Sequence, residues 1–171
     1  MYKFCPYCGG RLSFLTVDKF QCQKCSKHIF LNSRPTGTVI PVCNDKILVS
    51  VRATDPDKGK LDTVGGFLDN GEKPIDGAIR EFKEETGYQL KVEQLKLITI
   101  TVDKYTYQGS TFFTINPFYY VTFDEELALK PSDEVAELKW VPIDGQYDWA
   151  FKSIADAVVV LKKQLKFEVK G

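Results

Sequence analysis

The stretch from Gly65 to Tyr88, GGFLDNGEKPIDGAIREFKEETGY, constrains this chain more than any other. One loop and one short helix carry Asp69, Glu72, Glu81, Glu84 and Glu85, with Asp76 at the helix start. Lys73-Pro74 begins the helix, proline being suited to a first turn. Gly87 ends it, as a left-handed cap requires. At 3.6 residues per turn, Glu81, Glu84 and Glu85 stand at i, i+3 and i+4 and share an arc of about 100°. Ile75, Ala78, Ile79 and Phe82 fall on a different face, which can pack on a sheet. Like charges so placed repel by a few tenths of a kcal/mol per pair, a penalty that a bound cation removes. A solvated acidic face would account for the charges alone. It would not account for the Gly-Gly loop, the proline start and the glycine stop that frame them, so the cluster reads as a cation site.

The N-terminus holds a second metal pattern. Cys5-Pro6-Tyr7-Cys8 and Cys22-Gln23-Lys24-Cys25 are two CxxC knuckles, thirteen residues apart. Each thiolate pair can chelate from a tight turn, and together Cys5, Cys8, Cys22 and Cys25 form a tetrahedral site for Zn²⁺. Residues 11–15 and 18–21 read as the short strands of a zinc ribbon spanning residues 1–34. So short a segment cannot bury a core alone, and the metal would supply much of its folding free energy, on the order of 10 kcal/mol. No βαβ pattern surrounds the knuckles, which argues against a redox role. His28, three residues past Cys25, is a bystander beside four cysteines. The ribbon reads as a stabilising or dimer-supporting staple rather than a nucleic-acid patch, because Lys3, Lys19, Lys24 and Lys27 are scattered.

The 23 acidic and 23 basic residues balance, so no global field favours nucleic acid or an anionic membrane. There is no apolar run of membrane-spanning length and no signal-peptide core in MYKFCPYCGG, and the cysteine usage suits a reducing compartment. A soluble, cytoplasmic protein is expected. Residues 36–43 and 46–52 read as a hairpin across Asn44-Asp45, with Cys43 a small buried residue. ATDPDKGKL (53–61) reads as a solvated loop, although Arg52, Lys58 and Lys60 could meet a phosphate. Strand runs follow at 92–105 and 110–123 across the Gln108-Gly109 turn, and another at 134–141. Residues 149–165 have a helical apolar period at Phe151, Ile154, Ala155, Val158, Leu161 and Leu165. The aromatics of the middle strands read as core or cross-strand pairs, with one or two available to stack on a base. The order implies an α+β fold, with helices packed on a mixed sheet.

Gly66, five residues, Glu72, seven residues, then Arg80-Glu81-Phe82-Lys83-Glu84-Glu85-Thr86-Gly87-Tyr88 resembles the Nudix box at every polar and glycine position. Phe82 and Tyr88 replace the usual aliphatic residues. The resemblance covers residues 35–171, and the preceding ribbon is similar to that of NADH pyrophosphatases and related Nudix hydrolases. It implies an α/β/α sandwich that hydrolyses a nucleoside diphosphate linked to another moiety, with Mg²⁺ or Mn²⁺, releasing a nucleotide monophosphate. It assigns Glu81 and Glu85 as primary metal ligands, Glu84 as an assisting one and the Gly65 carbonyl as completing the site. Arg80 and Glu72 would orient the glutamates. A further acid would come from Glu134, with Glu137 as runner-up, and the general base is Glu134 or Glu81. Hard carboxylate oxygens suit Mg²⁺, and such ions neutralise a diphosphate under attack.

The substrate signatures of the family's subgroups are missing. The Ser-Gln-Pro-Trp-Pro-Phe-Pro stretch of NADH pyrophosphatases is absent after the box, as is the proline of ADP-ribose hydrolases. Tyr105 has the tyrosine spacing of dinucleoside polyphosphate hydrolases, a match made cheap by neighbouring tyrosines. The alternative to an enzyme is a module that senses a nucleotide while the ribbon binds nucleic acid or protein. The full set of box carboxylates favours the enzyme.

Overall fold

The computed structural model describes residues 2–132 and 135–168. Its first part is a small antiparallel sheet of β1 (Leu12–Phe14), β2 (Lys19–Cys22) and β3 (His28–Phe30), with β2 in the centre. Phe20 and Ile29 pack there with Cys5 and Cys22, a core of very few side chains.

The main sheet is built from β4 (Arg34–Cys43), β5 (Lys46–Arg52), β6 (Leu61–Asp62), β7 (Val64–Phe67), β8 (Lys96–Tyr107), β9 (Ser110–Phe123) and β10 (Val135–Pro142). The strand order is β10-β5-β4-β9-β8, with β6 on β5 and β7 on β4. β4 and β9 run parallel and the other pairs antiparallel, so the sheet is mixed. The helices are α1 (Pro74–Thr86) and α2 (Lys152–Glu168). Side chains alternate across each strand. Ile40, Val42, Ile47 and Val49 therefore face Ile154, Ala157, Val158 and Leu161 of α2. Val39, Leu48, Val64 and Val121 face Ala78 and Phe82 of α1 on the other side. This is the expected α/β/α sandwich. Full burial of a side chain such as Phe82 or Leu161 contributes about 1.5–3 kcal/mol.

Helix α1 begins at Pro74 and is stopped by Gly87 at φ 74°, the left-handed cap expected from sequence. Several boundaries differ from the expectation, three of them around the helices and the glycine segment. The run 92–105 opens with a single 3₁₀ turn at Val92–Gln94 before β8 begins. Helix α2 starts at Lys152 rather than Trp149, because Trp149 is held in a bridge to Leu61. The Gly65-Gly66 segment, expected as a loop, is the strand β7 paired to Thr36–Val39 of β4.

Helix α1 lies so close on β4 that a Cβ on Gly37 would stand 2.6 Å from both Ala78 N and Pro74 O. Backbone cannot yield as a side-chain tip can. Gly37→Ala is expected to lower stability by about 1–3 kcal/mol, an overpacking cost. A lowered urea midpoint with an unchanged m-value would show it. Among the described residues no helix is long and apolar enough to cross a membrane.

Candidate active site

The site forms where α1 crosses the glycine strand β7. Gly65 adopts φ 152°, and a Cβ there would strike the Gly37 carbonyl oxygen and Thr38 Cα. A Cβ on Gly66 would stand 2.5 Å from Glu81 Oε2. Two glycines thus let the carboxylates of α1 lie directly against strand backbone. Glu85 Oε2 accepts the Gly65 N–H at 3.1 Å. Gly65 and Glu85 then line a cleft of about 470 Å³ together with Ser50, Arg52, Asp62 and Thr63.

Arg80 organises the acids. Its Nε donates to Glu72 Oε1 and its Nη2 to Glu72 Oε2, both at 2.9 Å. Nη1 donates to Glu81 Oε1 at 2.8 Å and to Glu84 Oε2 at 3.0 Å, and Nη2 also reaches the Phe67 carbonyl at 3.0 Å. A guanidinium has five N–H groups, and these five bonds use them all. Glu72 is fixed from a second side by the Asp69 N–H at 2.9 Å. The Arg80 hydrogen bonds, then that N–H, hold the Glu72 carboxyl below the usual carboxylate range. Arg80 in turn is driven well above its ordinary value, first by Glu72 and next by Glu81, and stays charged.

The structure thus brings Glu72, Arg80, Glu81 and Glu84 into one network, with Glu85 anchored beside it on Gly65. The glutamates are not gathered around a single point; Arg80 occupies the space between Glu81 and Glu84. The donor set still suits a hard divalent cation, because the carboxylates of Glu81 and Glu85 sit against a glycine backbone and Glu85 opens onto the cleft. Glu134 lies outside the described residues. Glu137 is exposed on β10, 3.6 Å from Lys139 Nζ.

The four N-terminal cysteines do meet. Their sulfurs all lie within 4.8 Å of one another, with Cys5–Cys25 at 3.8 Å and Cys8–Cys22 at 3.5 Å. A tetrahedron with metal–sulfur bonds of about 2.3 Å has edges of about 3.8 Å, so the pocket is the right size for Zn²⁺. These distances are far too long for disulfides. The backbone N–H groups of Cys25 and Lys24 both point at Cys22 Sγ at 3.4 Å. They push its thiol down to about 6, favouring the thiolate that a metal needs. His28 is exposed and pairs with the Phe30 ring, outside the cysteine set.

Asp62, Asp103 and Asn116 are not singled out by the sequence, which reads Arg52 as part of a solvated loop edge that could meet a phosphate. Arg52 Nη1 bonds Asp62 Oδ2 at 2.7 Å, and Arg52 Nε bonds the Pro56 carbonyl at 2.7 Å, so Arg52 is braced rather than solvated. Burial pushes the Asp62 carboxyl up, partly offset by Arg52. Asn116 accepts from Thr36 Oγ1 and donates to Asp103 Oδ2, each at 2.9 Å. Counting outward from the Gln108-Gly109 turn would have placed Asp103 opposite Thr114, and so diagonal to Asn116 on one face.

The family model of the NUDIX domain matches residues 33–156, and the chain belongs to that family. It is similar to the NAD-capped RNA hydrolase NudC of Pseudomonas aeruginosa, 25% identical over 144 residues, covering 84% of this chain and 49% of that one. The chain spans about half the length of the curated relatives of this kind that it matches. Its fold is similar to a NUDIX hydrolase from Nitrosomonas europaea, with TM-score 0.65 and 24% identity, covering 92% and 88% of the two chains. It is also similar to the NUDIX domain of Shewanella oneidensis NrtR, solved in complex with ADP ribose, with TM-score 0.65 and 18% identity over 80% and 90%.

Proposed function

We propose that this chain hydrolyses the pyrophosphate bond of a nucleoside diphosphate joined to a second moiety, releasing a nucleotide monophosphate. The observation that carries the reading is the Arg80 network beside the anchored Glu85: a complete set of box carboxylates, each held by the arginine or by strand backbone, with Glu85 on the wall of an open cleft. Glu81 and Glu85, with Glu84 and the Gly65 carbonyl, would hold Mg²⁺ or Mn²⁺. Bound there, such ions would offset the negative charge of the diphosphate as it is attacked. Arg80 and Glu72 hold the carboxylates in place. Hydrolysis adds water across the P–O–P bridge, hydroxide to the attacked phosphorus and a proton to the leaving phosphate. Glu81 or Glu134 takes the proton from water. Relatives and neighbours named for NAD-capped RNA and ADP ribose support a nucleotide-type substrate. We further infer that Cys5, Cys8, Cys22 and Cys25 hold a structural Zn²⁺.

The test is release of nucleoside monophosphate from ADP-ribose, NADH, nucleotide sugars, dinucleoside polyphosphates and oxidised nucleotides, with Mg²⁺ or Mn²⁺. Turnover of at least one, abolished by chelation, is expected. Tight nucleotide binding without turnover at any metal concentration would favour a sensing module instead.

A further inference from the structure

Beside the glutamate cleft lies a smaller cavity of about 120 Å³, and the two share Arg52, Asp62, Thr63 and Gly65 as walls. Its position on the sheet is unusual. The inward face of β9 carries Tyr120 and Phe118 in the core under α2, then turns polar at Asn116 and Thr114, which are only 6% and 5% exposed. Buried polar side chains on a core-facing strand are costly unless bonded. Asn116 is held in a directed chain: the Thr36 hydroxyl donates to the Asn116 carbonyl, whose amide donates to Asp103. Among the described residues that is the one side-chain hydrogen bond to the Asp103 carboxylate. An ionised carboxylate only accepts, and has room for further donors.

Part of the remaining wall is aromatic. Phe67, Tyr105 and Phe151 line the cavity, with Tyr105 centred 6.0 Å from Phe67 and 5.7 Å from Phe151. Phe67 keeps 42% of its surface exposed although it is the strand residue next to the Gly65-Gly66 pair. The cavity holds two carboxylates, Asp62 and Asp103, against the single cation Arg52, which Asp62 already occupies. That balance disfavours a phosphate here and suits a flat, uncharged or cationic ring.

Resting on the hydrolase reading above, we propose that this cavity receives one aromatic ring of the substrate and that Asp103 selects a ring bearing an amino or amide N–H₂ donor. The adenine 6-amino group and the carboxamide of nicotinamide are two sources of that same donor. With the ring in this cavity, the shared wall at Gly65 directs the diphosphate toward the glutamate cleft. Asp103 is a specificity-determining residue, and Asn116 and Thr36 are positioning residues that fix its carboxylate.

Two matched pairs test this and separate the sources. ADP-ribose and inosine-diphosphate-ribose differ by an amino group replaced by a carbonyl. NAD⁺ and its nicotinic acid analogue differ by a carboxamide replaced by a carboxylate. Wild-type kcat/KM is expected to favour the amino-bearing member of one pair by about tenfold or more, because the analogue sets one acceptor against another inside the cavity. The pair that discriminates names the ring that enters. In Asp103→Asn, whose amide both donates and accepts, the preference should fall to within about twofold through improved use of the analogue. The same pairs titrated by calorimetry into uncleaving Glu85→Gln should repeat the preference as a ratio of dissociation constants. Equal use of both members of both pairs, or a preference unchanged in Asp103→Asn, overturns the proposal and leaves the hydrolase reading standing. Absence of turnover with the binding preference intact would instead overturn the hydrolase reading and uphold the pocket.

Discussion

Glu85→Gln is expected to lower kcat by on the order of 10³-fold or more while the protein stays folded. The substitution keeps the shape and keeps an oxygen that can accept the Gly65 N–H, one of the contacts that tie α1 to β7. What it removes is negative charge. An amide cannot balance a divalent ion, and the several kcal/mol that such an ion contributes in a transition state correspond to about a factor of ten per 1.4 kcal/mol. Glu81→Gln should behave alike, and the double variant should be little worse than either single one, because groups that act as a unit are not additive. Single-turnover rates at saturating Mg²⁺, with thermal midpoints measured alongside, would decide it. Full activity in both single variants would sink the hydrolase reading.

The second large effect belongs to the ribbon. With zinc held by the four cysteines as proposed, Cys22→Ser is expected to release it and melt β1–β3 while leaving the main sheet folded. Phe20 and Ile29 contribute only a few kcal/mol of burial, far less than is needed to order that segment. A structural zinc contributes about 10–16 kcal/mol in comparable peptides. Cys22 is the most telling of the four, since two backbone N–H groups are aimed at its sulfur and would be left facing a weaker partner. Zinc stoichiometry should fall from one per chain to none, and hydrogen exchange should rise across residues 12–30. The cores under α1 and α2 form separate clusters and should keep their protection. Freshly purified wild type without zinc would refute the assignment.

Much of this architecture could be read beforehand because its signals are local. Pro74 and Gly87 bracket α1 through fixed dihedral preferences, and the turns at 44–45 and 108–109 mark their hairpins. The carboxylate spacing carried the Nudix resemblance directly. What stayed hidden depends on pairing over long range. Val64–Phe67 has two glycines and no alternation, so nothing in it announces a strand; only β4 makes it one. Arg52 and Asp62 sit on opposite sides of a loop that reads as solvated, and burial is what turns them into a pair. Asp103 and Asn116 look like ordinary polar residues until the hairpin register sets them on one wall. The arrangement of the glutamates was also beyond reach, because it depends on where one arginine places its donors.

That arginine makes the acidic cluster a collective device. With every N–H of Arg80 committed, it has no hand left for a phosphate unless a glutamate or the Phe67 carbonyl lets go. Ions bound as proposed would have to compete with the guanidinium for Glu81 and Glu84, and freeing one spoke would loosen the geometry at the others. The cluster should rearrange as a whole, between an arginine-held resting form and a cation-held working form, with few stable arrangements between them.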